Sequence, residues 1–304
     1  MQTFELVASD DTPIHGLQWL PAGTPRGVVV ISHGMSEHAA RYAPLAANLA
    51  AAGYAVYAHD HRGHGRYAAV PGWFAAKAGW ESVVDDLRCV VDYARSRHDC
   101  PLVLYGHSMG SFIARSFLLQ YGQRLDGLVL SATGYRQRWL ARIMRQVARL
   151  AGRLGGAARP SPFMTALVFG SFNLGFLPAR TRLDWLSRDP AAVDAYIADP
   201  LCGQFPTPQL WQDLFGGIIA MEAGEADGKA LPKDCPVWLQ AGSRDPVSLG
   251  KFGLGQLAAR YQRAGMRDVT VTVYRGGRHE MHQETNRAEF EADLLAWLNR
   301  VTAR

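Results

Sequence analysis

The 304-residue chain has only four cysteines: Cys89, Cys100, Cys202 and Cys235. They form no C-x-x-C pair and are too sparse for a disulfide framework, so a disulfide-held domain is excluded. Cys100 and Cys235 each lead into a strand through a proline and are expected to be buried. No uninterrupted apolar run approaches the roughly 20 residues of a membrane span. The opening residues, Met1 to Asp10, have neither a basic flank nor an apolar stretch of signal-peptide length. A reduced, cytoplasmic protein is the expectation. Phosphate-cradling motifs are missing as well: there is no G-x-x-x-x-G-K-[ST], and no G-x-G-x-x-G follows the first parallel strand. No cofactor is expected. Internal repeats and low-complexity tracts are absent too.

What is present reads as a globular enzyme. Hydrophobic residues make up 48% and charged residues 19% of the chain, which rules out global disorder. The net charge is +5, and it is unevenly spread. Between Tyr135 and Leu183 there are nine arginines and no Asp, Glu or Lys, so the basic character belongs to one segment. The plain reading of that segment is a solvated basic face over a packed apolar one. The sharper reading is attraction to an anionic membrane surface or lipid. Nucleic acid is not expected, because no recognised fold or aromatic-basic motif accompanies the charge. Oligomeric state stays open.

Short β-rich apolar runs alternate with helical stretches, the pattern of βαβ units and a mostly parallel sheet. An opening hairpin is predicted from Thr3–Ala8 and Ile14–Trp19. Strands follow at Val28–Ser32, Ala55–His59, Leu102–Tyr105, Gly127–Ser131, Val237–Ala241 and Val269–Tyr274. Helices are predicted at Arg41–Ala52, Trp80–Arg97, Ser108–Tyr121, Leu249–Ala264 and Glu284–Thr302, with Gly53 closing the first of them. Between Ser131 and Val237 the alternation stops for about a hundred residues, too many for a loop in a compact domain. The expected organisation is an α/β core of residues 1–133 and 235–304, with residues 134–234 inserted as a helical lid. The lid's first helix has Trp139, Leu140, Ile143, Met144, Val147, Leu150, Ala151 and Leu154 on one face. Arg138, Arg142, Arg145, Arg149 and Arg153 lie on the other.

The chemistry is concentrated at Gly106-His107-Ser108-Met109-Gly110, between a predicted strand and a predicted helix. A serine in a sharp strand-to-helix turn needs small residues two positions either side, because a Cβ there would strike neighbouring backbone. The Ser108 hydroxyl needs a base, and the base needs an orienting carboxylate. Asp245 follows the strand Val237–Ala241, and His279 follows Val269–Tyr274. Both sit at strand C-termini and in the required chain order. Asp245 before Pro246 can also be read as a turn residue, and His282 is a rival to His279. The oxyanion hole is expected from the backbone N–H groups of Met35 and Met109. His33, Gly34, Gly106 and Gly110 would support it, helped by Ser36 and Glu37. The run His59-Asp60-His61-Arg62-Gly63-His64-Gly65 lacks metal-ligand spacing, so no metal is expected there. It is read as a hydrogen-bonded loop bracing the site.

The segments His33-Gly34-Met35-Ser36-Glu37-His38, Arg41-Tyr42, Asp60 to Gly65 and Gly106 to Gly110 resemble the monoacylglycerol lipase and bacterial lysophospholipase branch of the α/β-hydrolases. That branch is also labelled serine aminopeptidase-like. Gly242-Ser243-Arg244-Asp245, Gly277-Arg278-His279-Glu280, Ser187-Arg188-Asp189-Pro190 and Ala198-Asp199-Pro200-Leu201 extend the resemblance over nearly the whole chain. It implies an α/β-hydrolase fold, with Ser108 as nucleophile, His279 as base and Asp245 as orienter. Two departures, Ser111 in place of a glycine and Arg66-Tyr67 after the glycine-histidine loop, are expected to reshape the acyl pocket. The expected activity is serine carboxylic-ester hydrolysis of a monoacylated lipid or similar acyl ester, through an acyl-enzyme. Trp139, Phe163, Phe169, Phe172, Phe176 and Leu177 would supply an apolar lid. Two alternatives stand beside it: an aminopeptidase holding the substrate ammonium on Asp184, Asp189, Asp194 or Asp199, and an inactive hydrolase-like binding protein.

Overall fold

Central strands with apolar residues at every position bury both faces, so helices must cover the sheet on both sides. The computed structural model describes residues 1–135 and 138–303. Its strands are β1 (Gln2–Val7), β2 (Pro13–Trp19), β3 (Gly27–Ser32), β4 (Tyr54–His59), β5 (Leu102–His107), β6 (Gly127–Ser131), β7 (Val237–Gly242) and β8 (Val269–Tyr274). They form one sheet in the order β1-β2-β4-β3-β5-β6-β7-β8. β1 and β2 make the predicted hairpin, β2 runs antiparallel to β4, and the remaining pairs are parallel. Strand order reverses beside β3, so the loops leaving β3 and β5 lie together at the C-terminal edge. This is where open α/β sheets place ligands.

The helices are α1 (Ala43–Ala51), α2 (Gly79–Arg97), α3 (Met109–Tyr121), α4 (Arg138–Gly155), α5 (Pro162–Phe169), α6 (Pro190–Ala198), α7 (Pro208–Asp227), α8 (Gly250–Arg263) and α9 (Arg287–Thr302). Alternate residues of β3 divide between two cores. Val29 and Ile31 meet Leu45 and Leu49 of α1 and Phe290, Leu294 and Leu298 of α9. Val28 and Val30 meet α2 and α3, in one core with Val83, Leu87 and Ile113 that extends to Leu257 of α8. Gly53 closes α1 with φ of 94°, as its position implied. α1 and α9 start later than the pattern predicted, because 3₁₀ turns at Ala39–Tyr42 and Met281–Gln283 precede them. Both turns carry side chains that hold the site. Cys235 is buried as expected, whereas Cys100 is only half-buried. Among the described residues, no helix is long and apolar enough to cross a membrane.

Between β6 and β7 lie α4 to α7. Ser161, Asp189 and Thr207 cap α5, α6 and α7 with side-chain oxygens, each followed by proline in the first turn. α4 corrects the sequence reading. Its buried residues are the small Ala141 and Ala148, which let it lie close on α7. Met144, Val147 and Ala151 are half-buried beside them. The large apolar residues Trp139, Leu140, Ile143, Leu150 and Leu154 face outward, as do Arg142, Arg145, Arg149 and Arg153. The helix therefore has three faces where the sequence pattern implied two. Of the nine arginines, Arg136 lies outside the described residues.

A buried ion pair joins α7 to α3. Arg115 donates to both oxygens of Glu225 at 2.8 Å, and both side chains are fully buried. Tyr261 Oη donates to the same carboxylate at 2.6 Å, and Arg115 also reaches Thr133 Oγ1 and the Gly134 carbonyl. Removing one charge of such a pair leaves the other stranded in low dielectric. Glu225→Gln is expected to lower unfolding free energy by about 3–5 kcal/mol, read from the urea midpoint. Replacing both residues, Arg115→Met with Glu225→Leu, should recover much of the loss. A single variant with an unchanged midpoint would refute this.

Candidate active site

Ser108 sits between β5 and α3 with φ of 51° and ψ of −118°, a conformation that costs energy for any residue with a side chain. Backbone packing holds it there. A Cβ on Gly106 would come within 2.6 Å of the Gly110 carbonyl oxygen, and one on Gly110 within 2.0 Å of the Ser32 carbonyl oxygen. The Ser108 N–H donates to the Ser131 carbonyl at 3.0 Å. Fixed in this way, its side chain opens into a cavity instead of the core.

The three residues proposed from sequence meet. His279 Nε2 lies 2.9 Å from Ser108 Oγ, and His279 Nδ1 lies 2.8 Å from Asp245 Oδ1. Asp245 also accepts the N–H groups of Val247 and Ser248 at 3.0 and 3.1 Å, the contacts of a turn residue. Burial alone would raise the Asp245 carboxyl. The facing His279 ring and these N–H donors outweigh it and hold the group below its ordinary value. An ionised Asp245 accepts a hydrogen bond from His279 Nδ1–H, which leaves Nε2 free to accept from the Ser108 hydroxyl. His282 does not reach Ser108. It stacks on Tyr42 at 4.5 Å, and neither ring nitrogen has a hydrogen-bond partner among the described residues.

Gly34, after β3, lies directly over Ser108: a Cβ there would stand 3.3 Å from Ser108 Cβ and 2.7 Å from Glu37 Oε1. Met35 lines the cavity and Met109 opens α3, so both expected donors flank Ser108. The β4 loop braces this turn. His61 N–H donates to His33 Nε2 at 3.0 Å, His33 Nδ1 donates to the Gly34 carbonyl at 2.7 Å, and Asp60 accepts Ala39 N–H at 2.8 Å.

The cavity holds about 950 Å³, within the range of roughly 300–1,000 Å³ for small-molecule sites. Phe169, Leu174, Leu177, Trp185 and Val247 line it, with Arg180 and Arg182 among its polar residues. Of the expected lid aromatics, Phe172 and Phe176 pack instead on Trp185 and Leu186, and Trp139 and Phe163 are exposed. Neither expected departure is itself among the residues that line the cavity. Ser111 is buried and its Oγ donates to the Ser108 carbonyl at 2.5 Å, while Tyr67 is exposed and stacks on His15. Sequence reasoning missed the bonds by which the inserted segment grips the loop after β3. His38 Nε2 donates to Asp199 Oδ2 at 2.8 Å, and Tyr196 Oη and Gly203 N–H donate to the Ser36 carbonyl. His38, Asp199 and Cys202 also place one potential metal-ligand atom each within 4.8 Å of the others. The His38–Asp199 bond already satisfies two of the three. The quoted motif segments contained these residues, but without partners.

A family model described as "Serine aminopeptidase, S33" matches residues 23–286. The chain belongs to this family. It is a hydrolase of the α/β-hydrolase fold, in the monoglyceride lipase branch that its motifs resembled. The monoacylglycerol lipase of Mycolicibacterium smegmatis is 29% identical over 92% of this chain and 90% of its own length. The carboxyl esterase of Bacillus coagulans, solved in complex with glycerol, superposes with a TM-score of 0.89 at 26% identity, covering 99% of this chain and 98% of that one. A lipase in its open form gives a TM-score of 0.87 at 31% identity, covering 100% and 99%.

Around the site of this S33 hydrolase lies a set of buried, uncharged imidazoles. Burial pushes His59 down to about 4 and His107 and His282 to about 3, with His279 beside His107 and His107 beside His282 adding repulsion. His33 and His61 are driven well below the usual histidine value. As pH falls from 6.5 towards 4, the unfolded chain takes up protons that the folded one refuses. Stability present above about pH 6.5 is therefore lost across that window. Among the described residues, His59 has no hydrogen-bond partner on either nitrogen. His59→Phe should thus flatten the fall of the urea midpoint between pH 7 and pH 5, by up to about 1.4 kcal/mol per pH unit. An unaltered slope in that variant would contradict the assignment.

Proposed function

We propose that the protein is a serine carboxylic-ester hydrolase acting on monoacylated lipids, with Ser108 as nucleophile, His279 as general base and acid, and Asp245 as orienter. The observation that carries this reading is Ser108 Oγ, 2.9 Å from His279 Nε2, opening on a large and mostly apolar cavity. Ser108 attacks the ester carbonyl as His279 Nε2 takes its proton. Asp245 stabilises the imidazolium, and the N–H groups of Met35 and Met109 receive the oxyanion. Collapse expels the alcohol, which takes the proton from His279. Water, deprotonated by the same ring, then attacks the acyl carbonyl, and the fatty acid departs as Ser108 Oγ takes that proton back from His279. The names of relatives, a monoacylglycerol lipase and a carboxyl esterase, support an ester over an amide.

The aminopeptidase reading requires a free carboxylate in the cavity. Asp184, Asp189, Asp194 and Asp199 are each engaged, by Thr181, Ala191 N–H, Arg180 and His38 respectively. None of the four lines the cavity, and the two acids that do, Glu37 and Glu280, are paired to Arg41.

Residues 134–234 serve in this reading as a lid, and the outward face of α4 as a membrane-surface contact. Trp139 and Leu154 are 66% and 81% exposed beside the arginine face. Phe163 and Leu177 add apolar surface on the same inserted segment, Leu177 on the cavity wall itself. An amphipathic helix with basic flanks lies in the interface of an anionic bilayer.

Ser108→Ala is expected to lower kcat on p-nitrophenyl acyl esters by roughly 10⁴-fold or more and to abolish fluorophosphonate labelling. Aminoacyl-arylamides should turn over far more slowly than acyl esters. Retained activity in the variant would rule out the mechanism, and faster arylamide turnover would restore the peptidase reading. In sedimentation with vesicles, the protein should bind phosphatidylglycerol-containing more than phosphatidylcholine bilayers. Trp139→Ala or Arg149→Glu should weaken that binding. Equal binding by both variants would remove α4 from the contact.

A further inference from the structure

Three buried charged side chains near Ser108 have no part in the chemical steps above. Glu37, Arg41 and Glu280 have side chains only 2%, 8% and 4% exposed. Arg41 Nη1 donates to Glu37 Oε2 and to Glu280 Oε1, both at 2.7 Å, and Nη2 donates to Glu280 Oε2 at 2.8 Å. The other oxygen of Glu37 accepts the Gly34 N–H at 2.5 Å and the Tyr42 hydroxyl at 2.8 Å. The guanidinium lies over the Tyr196 ring, 4.8 Å from its centroid.

The connectivity matters more than the number of bonds. One end of this brace holds the amide of Gly34, the residue before the proposed oxyanion donor Met35. The other end holds the side chain of Glu280, the residue after His279. These two loops leave different strands, β3 and β8, which are not neighbours in the sheet. No sheet hydrogen bond sets their mutual position. Resting on the assignment of Ser108 and His279 above, the geometry points to Arg41 as a positioning residue. It fixes the oxyanion loop and the base loop relative to each other, so that donor and base address one serine as a unit.

Several properties suit Arg41 to the task. A planar guanidinium can engage one carboxylate with two parallel bonds and reach a second at the same time, which an ammonium cannot do in fixed geometry. Its charge also keeps Glu37 and Glu280 from standing unopposed in a dry site beside a developing oxyanion. Glu280 reflects this. Burial would raise its carboxyl, yet Arg41 draws it down to about 2. In the proposed function the acyl chain lies along the apolar wall of Phe169, Leu174 and Leu177. Loosening the brace therefore weakens transition-state contacts and leaves chain binding largely untouched.

The test compares wild type with Arg41→Gln, Arg41→Lys, Glu280→Gln and the double variant Arg41→Gln/Glu280→Gln. kcat and KM are measured on a p-nitrophenyl acyl ester, together with the rate of fluorophosphonate labelling. Arg41→Gln and Glu280→Gln should each lower kcat and labelling rate by roughly ten- to a hundredfold, with KM little changed. Arg41→Lys should recover part of the Arg41→Gln loss. The double variant should lose no more than the worse single one, because the brace is broken only once. If Arg41→Gln does not fold, Arg41→Lys and Glu280→Gln carry the comparison. Wild-type kcat and labelling rate in these variants, a loss confined to KM, or additive losses in the double variant would overturn the proposal. Wild-type protein that is not labelled at Ser108 would instead overturn the nucleophile assignment on which the proposal rests.

Discussion

The site depends on backbone touching backbone at the end of β5. Gly110 packs so closely on the Ser32 and His33 carbonyls that a single methyl group would displace the loop after β3. Gly106 is pressed in the same way against the Gly110 carbonyl, and Gly34 against Ser108 itself. These contacts hold Ser108 at a positive φ that an isolated turn would relax. They also set the separation between the serine and the amides expected to receive the oxyanion. The strained turn persists because two parallel strands, β3 and β5, are already locked in register from Val28 and Leu102 to Ser32 and Gly106. The sheet thus supplies rigidity at low cost to each loop, and the loops supply chemistry.

Desolvation is the second constraint, and it acts in two ways. Around Asp245 and Glu280, burial is overcome by specific donors and charges, so both carboxyls are held below their ordinary values. Around His59 burial stands unopposed, around His107 it outweighs the nearby carboxylates, and both rings are kept neutral. Neutral rings beside an acid-base pair add packing and hydrogen-bond acceptors without adding charge. His33 shows this use, accepting from His61 N–H while donating to Gly34. The site therefore keeps its ionised groups few and paired, in a layer of polar but uncharged side chains.

Much of this was legible in the residues because local rules and tertiary structure agree along most of the chain. Short β-rich apolar runs placed every strand, and the small-x-Ser-x-small spacing located the elbow. Asp245 and His279 could be assigned to strand ends because each follows an apolar run and a turn signal. The illegible parts are those where partners are far apart in sequence. Arg41 and Glu280, 239 positions apart, or His38 and Asp199, 161 apart, have no local signature. Motif resemblance marked these residues without saying what they touch. The start of α9 was misplaced for the same reason. Glu284 reads as a helix residue, yet its carboxylate is spent on the backbone N–H groups of Arg188 and Arg278.

α4 shows why amphipathic pattern alone misassigns a face. A hydrophobic stripe is ordinarily turned inward, because each large apolar side chain gains about 1.5–3 kcal/mol on burial. Here the stripe of Trp139, Ile143, Leu150 and Leu154 is turned outward, and the inward contact with α7 is made by Ala141 and Ala148. Helix pairs joined through alanines approach closely, a geometry that large side chains would forbid. An apolar stripe of this size left in water is costly unless something covers it, and contiguous patches of this kind mark interaction surfaces. Exposed arginines along the same helix make a bare protein partner a worse fit than an anionic interface, where apolar and basic residues are satisfied together. The inserted segment also bonds to the loop after β3 through Tyr196, Asp199 and Gly203. One element thus joins the proposed surface contact to the proposed oxyanion loop, which gives a lipid interface a physical route to the geometry around Ser108.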